Sequence, residues 1–68
     1  MVKIGKKLKE LRLGEGLTQQ QLADALGIGR VNYTRYENDI VRPDYELLVE
    51  IAKFFGVSTD YILGISDF

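Results

Sequence analysis

Residues 16–38 read GLTQQQLADALGIGRVNYTRYEN and form the most informative stretch of this 68-residue chain. Thr18 is a favourable helix N-cap, and Gln21 follows three residues later, as a capping box requires. Gly27 predicts a helix end, because glycine enters the left-handed conformation without steric cost. A second helix is then expected to begin near Arg30. The stretch therefore predicts two short helices joined by a tight turn.

The second of these helices is predicted to have a buried side and an exposed side. Tyr33 and Tyr36 are the large side chains that it can bury against the rest of the domain. The side chains expected to point outward are Arg30, Val31, Thr34, Arg35 and Asn38. This exposed side is the candidate binding surface of the chain.

The flanking sequence predicts three further helices and no strand. Apolar residues recur at helical spacing in the first helix, about residues 3–15, and in the fourth, about residues 43–55. Pro43 suits the first position of a helix, because its missing N–H costs nothing there. Ser58 predicts the cap of a fifth helix, about residues 59–63.

The two central helices are expected at about residues 19–26 and 30–38. Together with the three flanking helices they make a compact all-α domain. We expect residues 1–68 to form this single five-helix domain.

Composition argues against several classes of protein. The chain has no cysteine and no histidine, which removes disulfides, zinc fingers and most transition-metal sites. The nucleophile–imidazole pairs of many enzymes are absent for the same reason. The apolar runs are too short to span a bilayer, and the N-terminus lacks the apolar block of a secretory signal. We therefore expect no enzyme, no cofactor, no metal, no membrane partner and a cytoplasmic location.

The charge is unevenly distributed along the chain. A net charge of −1 and an isoelectric point near 5.2 argue mildly against nucleic acid. Up to Arg42, however, eight basic and five acidic residues give +3, whereas one basic and five acidic residues from Pro43 onward give −4. The first part can face phosphate while the acidic part stays away from it. An uneven scatter of surface charge is the alternative interpretation.

Four segments carry a pattern that extends well beyond the central stretch. They read IGKKLKELR (4–12), GLTQQQLADALGIG (16–29), YTRYEND (33–39) and RPDYELLVEIAKFFGVSTDYILG (42–64). Together they resemble the lambda-repressor-like family of Cro/C1-type helix-turn-helix proteins. The resemblance implies the five-helix lambda-repressor-like DNA-binding fold, with the third helix in the major groove of double-stranded DNA. It also implies a sequence-specific transcriptional regulator, most often a repressor.

The resemblance implies roles for individual exposed side chains. Arg30, Val31 and Arg35 occupy positions that contact base edges. Arginine can bond guanine O6 and N7, whereas valine can contact only a thymine methyl group. The positions implied for phosphate contact are those of Thr18, Gln19, Asn32, Thr34, Asn38 and Arg42. A solvated surface residue is the alternative for each arginine, and helix capping is an equally good reading of Thr18.

The same resemblance implies a structural ion pair between Arg12, in the first helix, and Glu37, near the end of the third. Three positions depart from the family pattern. Gly29 replaces the serine or threonine usually found there, so the cap of the third helix would come from the backbone and from bound phosphate. Tyr33 replaces a residue that is commonly aliphatic, so its hydroxyl needs water or a partner. Asp39 replaces a common glycine at a helix exit, where aspartate tolerates left-handed geometry.

A domain of this size makes few base contacts, so the implied binding mode is a homodimer on a palindromic operator. The expected dimer surface consists of Tyr61, Ile62, Ile65 and Phe68, although these residues can instead complete the monomer core. Two other interpretations stay open. One is an antitoxin-like or restriction-modification controller protein that also binds a protein partner. The other is a protein-binding helical module that does not bind DNA alone.

Overall fold

Five helices follow one another in a computed structural model that describes residues 3–65. They are α1 (Gly5–Gly14), α2 (Gln19–Leu26), α3 (Arg30–Glu37), α4 (Tyr45–Phe55) and α5 (Thr59–Leu63). No strand occurs in the described range, so the predicted all-α, five-helix architecture is confirmed. None of the helices in this range is both long and apolar enough to cross a membrane.

Side-chain caps define where α2 and α5 begin. The hydroxyl of Thr18 accepts a hydrogen bond from the Gln21 amide at 3.0 Å, and Gln21 Oε1 accepts one from the Thr18 amide at 2.9 Å. This is the reciprocal capping box expected from the sequence. Ser58 caps α5 in a simpler way, by accepting from the amide of Tyr61 at 3.0 Å. Both helices therefore begin where the sequence placed them.

The start of α4 differs from the prediction. Asp44 has extended backbone geometry, and its Oδ1 accepts a hydrogen bond from the Leu47 amide at 2.8 Å. Asp44 is thus the N-cap, and Tyr45 is the first helical residue. Pro43 lies one residue before the cap, so its predicted place as the first residue of the helix is wrong. The carboxylate decides the boundary because it satisfies an amide that would otherwise lack a partner.

The N-terminus of the first helix, α1, is capped by a residue that is distant in the sequence. Residue 4 precedes α1 without a side-chain cap of its own. Instead, Asp39 Oδ1 accepts hydrogen bonds from the amides of Ile4 and Gly5 at 3.1 Å and 3.0 Å. Asp39 adopts a φ of 58°, the left-handed geometry expected at that position. The residue after α3 therefore caps α1, which runs over 5–14 instead of the predicted 3–15.

The backbones of α1 and α3 approach each other closely at Gly5. A Cβ atom on Gly5 would lie 2.0 Å from the carbonyl oxygen of Glu37. No side chain fits in that space, and the neighbouring atom belongs to the backbone. Gly5 therefore allows the start of α1 to pack against the end of α3. The last residue of α3 is Glu37, and Asn38 is its C-cap.

The core has two connected parts. One lies between α1, α4 and α5, and the other between α2 and α3. The first contains Ile4, Leu8, Ile51, Ala52 and Ile62, and the second contains Leu22, Ala23 and Tyr33. Leu26, Tyr36 and Phe55 pack against both. The helix pair of the central stretch is thus held on the same core as the flanking helices.

Candidate nucleic-acid interface

The third helix presents the candidate base-contact residues to solvent. Its buried side consists of Tyr33 and Glu37. Arg30, Val31 and Arg35 are all exposed, with 57% of Val31 accessible. Residues 31 and 35 are one helical turn apart, so their side chains lie on the same side of the helix. The structure therefore leaves these three side chains free to contact a ligand.

Most of the candidate phosphate contacts are also at the surface. Thr18, Asn32, Asn38 and Arg42 are exposed. The Thr18 hydroxyl oxygen accepts the capping bond, which leaves its hydrogen free to donate to a phosphate oxygen. The two roles considered for Thr18 are therefore compatible in this geometry.

Gln19 and Thr34 are different, because each is half-buried and bonded to the protein. The Thr34 hydroxyl donates to Gln19 Oε1 at 2.8 Å, and Gln19 Nε2 donates to Glu37 Oε1 at 3.2 Å. A hydroxyl has one hydrogen, and a phosphate oxygen accepts but does not donate. In this arrangement the hydrogen of the Thr34 hydroxyl is used to hold the Gln19 amide. The bond to Glu37 uses one of the two Nε2 hydrogens of Gln19.

A buried ion pair joins α1 to the end of α3. Arg12 Nε lies 2.6 Å from Glu37 Oε2, and the Arg12 terminal nitrogen Nη2 donates to Glu37 Oε1 at 3.3 Å. The remaining guanidinium nitrogen, Nη1, donates to the carbonyl oxygen of Leu17 at 2.8 Å. The structure thus brings Arg12 and Glu37 together in the two-point geometry that suits arginine and carboxylate.

Tyr33 extends this pair into a larger network. It is fully buried, and its hydroxyl donates to Glu37 Oε2. Burial, together with the hydrogen bond to Glu37, raises the pKa of Tyr33 above its ordinary value. Burial alone would raise the pKa of Glu37, but hydrogen bonds from Arg12, Tyr33 and Gln19 outweigh it and hold that pKa below its ordinary value. The carboxylate is therefore charged at neutral pH, and it accepts from three side chains.

The network has no unsatisfied member. Within residues 3–65, every buried side-chain nitrogen or oxygen has a hydrogen-bond partner. Arg12 belongs to α1, Gln19 to α2 and Glu37 to α3, so one carboxylate connects three helices. Such a connection restrains how α3 lies against the other two. The exposed side of α3 is consequently presented on a rigid support.

Sequence reasoning missed three parts of this site. It did not find the hydrogen bond from Thr34 to Gln19, it did not identify the partner of the Tyr33 hydroxyl, and it did not find the cap that Asp39 provides for α1. The spacing of Tyr33 and Glu37, four residues apart on one helix, was a usable signal for their contact. Nothing local connects Asp39 with Gly5, which lies 34 residues away.

The residues expected at a dimer surface fall in different places. Ile62 is 1% exposed and belongs to the core, so its expected place on a dimer surface is wrong. It faces inward because α5 packs its apolar side against α1 and α4. Tyr61 is half-buried beneath Lys7, whose Nζ lies 4.4 Å from the ring centroid. Ile65 is 72% exposed. Phe68 lies outside the described residues.

Across the described part of the chain, no cluster of three or more acidic side chains could hold a metal ion. Two short helices joined at Gly27 and Gly29, with an exposed second helix, make a helix-turn-helix unit. The fold and the site together therefore define a five-helix domain built around that unit.

The family assignment follows from a comparison with family models. The model described as helix-turn-helix matches residues 8–62, which is most of the chain. The chain belongs to this Cro/C1-type helix-turn-helix family, as the resemblance implied. Membership agrees with the expectation of a regulator domain and not an enzyme.

Curated relatives carry names of transcriptional regulators. The chain is 44% identical over 61 residues to the HTH-type transcriptional regulator ImmR of Bacillus subtilis, covering 90% of this chain and 48% of that protein. It is 35% identical over 51 residues to the cryptic phage CTXphi transcriptional repressor RstR of Vibrio cholerae, covering 75% of this chain and 46% of RstR. It is 39% identical over 63 residues to the HTH-type transcriptional activator BcrR of Enterococcus faecalis, covering 93% of this chain and 31% of BcrR. The chain thus spans half or less of each of these relatives.

Proposed function

We propose that this chain is a DNA-binding domain of a transcriptional regulator and reads a specific duplex sequence with α3. One observation carries the proposal. The exposed side of α3 bears two arginines and a valine, while its other side is held by the carboxylate of Glu37. Sequence reading requires side chains at base edges on a support that does not shift, because base contacts depend on direction.

The proposed contacts follow from the chemistry of each side chain. Arg30 and Arg35 are assigned to guanine, and Val31 to a thymine methyl group, so the half-site contains at least one G·C pair. The remaining Nε2 hydrogen of Gln19 is assigned to a phosphate. Further phosphate contacts are assigned to Thr18, Asn32, Asn38 and Arg42. These contacts make binding fall with increasing salt concentration.

The proposed regulator is a repressor that binds a palindromic operator as a homodimer and occludes a promoter in the cytoplasm. Two domains on half-sites one helical turn apart gain affinity and specificity that one small domain lacks. RstR is named a repressor, which supports this choice, whereas BcrR is named an activator. An assay of transcription from the promoter with and without the protein distinguishes repression from activation.

Selection from a pool of random duplexes, at two salt concentrations, tests the proposal directly. We expect an enriched sequence with two inverted half-sites. In a repeat with Arg35→Ala, preference at one G·C position should relax, at a cost of about 1–3 kcal/mol. Lys53→Ala is the matched control, because it removes one positive charge from an exposed site on α4. Weak, salt-sensitive binding without enrichment would contradict the proposal and favour a protein partner.

A further inference from the structure

Val31 is the exposed apolar side chain of α3, and 57% of its surface is accessible. Valine is a weaker helix former than most residues because its branched side chain is restricted at χ1. Helix stability therefore does not favour valine at an exposed helical position. Its side chain makes no hydrogen bond, so an apolar group of a bound molecule is the partner that suits it.

Arg35 lies one helical turn after Val31 and is also exposed. Residues four apart on a helix have Cβ atoms about 5–6 Å apart, so the two side chains reach neighbouring points on a bound molecule. No ion pair within residues 3–65 involves Arg35. An apolar group and an unpaired guanidinium thus lie side by side on the surface assigned to DNA.

The chemistry of these two side chains matches two adjacent bases of a duplex. Guanine offers O6 and N7 to arginine, and a C5 methyl group is the apolar feature of a pyrimidine in the major groove. An arginine bonded to guanine lies in the plane of that base and passes over the C5 position of the pyrimidine on its 5′ side. Val31 and Arg35 therefore suit a step in which a C5-methylated pyrimidine precedes guanine.

Two pyrimidines carry a methyl group at C5, namely thymine and 5-methylcytosine. They differ at position 4, where thymine has an acceptor oxygen and cytosine a donor amino group. Valine has no polar atom with which to distinguish these groups. It does distinguish a methyl group from hydrogen, because contact with the methyl group removes apolar surface from water.

We propose that Val31 and Arg35 together read a C5-methylated pyrimidine followed by guanine, so that 5-methylcytosine–guanine is bound as well as thymine–guanine. An unmethylated cytosine at the same position leaves the Val31 side chain without an apolar partner. Methylation of that cytosine at C5, the reaction of DNA cytosine methyltransferases, therefore strengthens binding. The inference rests on the proposed function, because it names a class of duplex for the same surface of α3.

Four duplexes with a single half-site test this inference in binding titrations. They differ only in the base pair 5′ to the guanine whose selection is relaxed in Arg35→Ala. That position holds thymine or uracil opposite adenine, and 5-methylcytosine or cytosine opposite guanine, so one methyl group is the only difference within each pair. We expect the methylated member of each pair to bind about fourfold more tightly, as burial of one methyl group predicts.

A pair of valine variants assigns the methyl effect to α3. Val31→Ala is expected to lose most of the effect in both pairs of duplexes and to keep the preference for guanine. It is expected to fold, because Val31 is exposed and alanine is a better helix former. Val49→Ala is the matched control, since it makes the same change at an exposed position on α4, and it should keep the full effect. An unchanged effect in Val31→Ala would overturn the assignment.

The failure of this inference can be distinguished from the failure of the proposed function. Equal binding within either pair of duplexes would overturn the inference, as would a selected half-site with a purine before the guanine read by Arg35. In both outcomes sequence-specific DNA reading would still stand. A selection that enriches no sequence would contradict the proposed function, and this inference with it.

Discussion

The hydroxyl of Thr34 donates a hydrogen bond to Gln19 Oε1 at 2.8 Å, so a residue of α3 holds a residue of the preceding helix, α2. The same Gln19 side chain donates through Nε2 to Glu37. Both ends of its amide are therefore oriented by α3. Gln19 is the proposed phosphate contact at the start of α2, and its direction is set before DNA arrives.

Thr34→Val is expected to weaken DNA binding severalfold, because it removes the donor that orients Gln19. If Thr34 acts through Gln19, the same change should have little effect in a Gln19→Ala background. Titration of the selected duplex with the wild type, both single variants and the double variant measures this coupling. Independent, additive losses would show that Thr34 contacts DNA by itself.

Removing one partner of the buried ion pair is expected to be worse than removing both. Glu37→Leu leaves the Arg12 guanidinium buried without its carboxylate, at a cost of about 3–5 kcal/mol. The double variant Arg12→Met with Glu37→Leu is expected to be more stable than Glu37→Leu alone. Urea denaturation of the three proteins checks the order. A double variant less stable than Glu37→Leu would contradict this expectation and would show that Arg12 stabilises the domain without Glu37, for example through its hydrogen bond to the Leu17 carbonyl.

Gly5→Ala is expected to destabilise the domain by about 1–3 kcal/mol or more, because the added methyl group would meet the carbonyl oxygen of Glu37 at 2.0 Å. Gly14→Ala is the matched control within α1, since a Cβ there meets nothing within 4 Å. It is expected to stabilise the helix by up to about 1 kcal/mol. Thermal unfolding of both variants measures the difference, and equal effects would refute the close approach.

Substitutions of Asp39 separate its two roles, backbone geometry and capping of α1. Asp39→Gly keeps the left-handed backbone but loses the acceptor for the amides of Ile4 and Gly5, costing about 0.5–2 kcal/mol. Asp39→Ala loses the acceptor and also places a Cβ at a φ of 58°, so it is expected to be less stable than Asp39→Gly. Asp39→Asn retains an acceptor oxygen and should be the least harmful. Chemical denaturation of the three variants tests this order.

The raised pKa of Tyr33 predicts a loss of stability in alkali. The folded protein keeps the Tyr33 proton to higher pH than the unfolded chain, whose tyrosine titrates near 10.0. The stabilising contribution is therefore complete below pH 10 and falls above it, by up to about 1.4 kcal/mol per pH unit. Denaturation at pH 8 and pH 11 measures the fall. Tyr33→Phe is expected to show a smaller fall than the wild type, and equal falls would contradict the assignment.

The lowered pKa of Glu37 predicts a loss of stability in acid. Its pKa is held below the ordinary value, so the unfolded chain takes up the proton first as the pH decreases. Stability from Glu37 is present above the ordinary pKa of 4.5 and is lost as the pH falls through the lower folded value. A wild-type domain that keeps its full free energy of unfolding down to pH 2 would contradict this.

Local sequence was sufficient for most of the architecture. Capping residues such as Thr18 and Ser58 act on amides two or three positions away, and apolar periodicity acts within one helix. These interactions can be recognised from the sequence. The five helices and the exposed arginines of α3 could therefore be predicted. The start of α4 was missed because two local signals, Pro43 and Asp44, competed, and the capping carboxylate prevailed.

Only the tertiary structure decided the contacts that join distant segments. The bond of Thr34 to Gln19, the cap that Asp39 places on α1 and the burial of Ile62 depend on how whole helices pack. By itself the sequence determined the helix-turn-helix class, because the short-range spacing of capping residues, glycines and apolar residues identifies that class. The position of α3 against the other helices was decided by packing. A single buried carboxylate, Glu37, accepts hydrogen bonds from side chains of three helices that are separate segments of the chain.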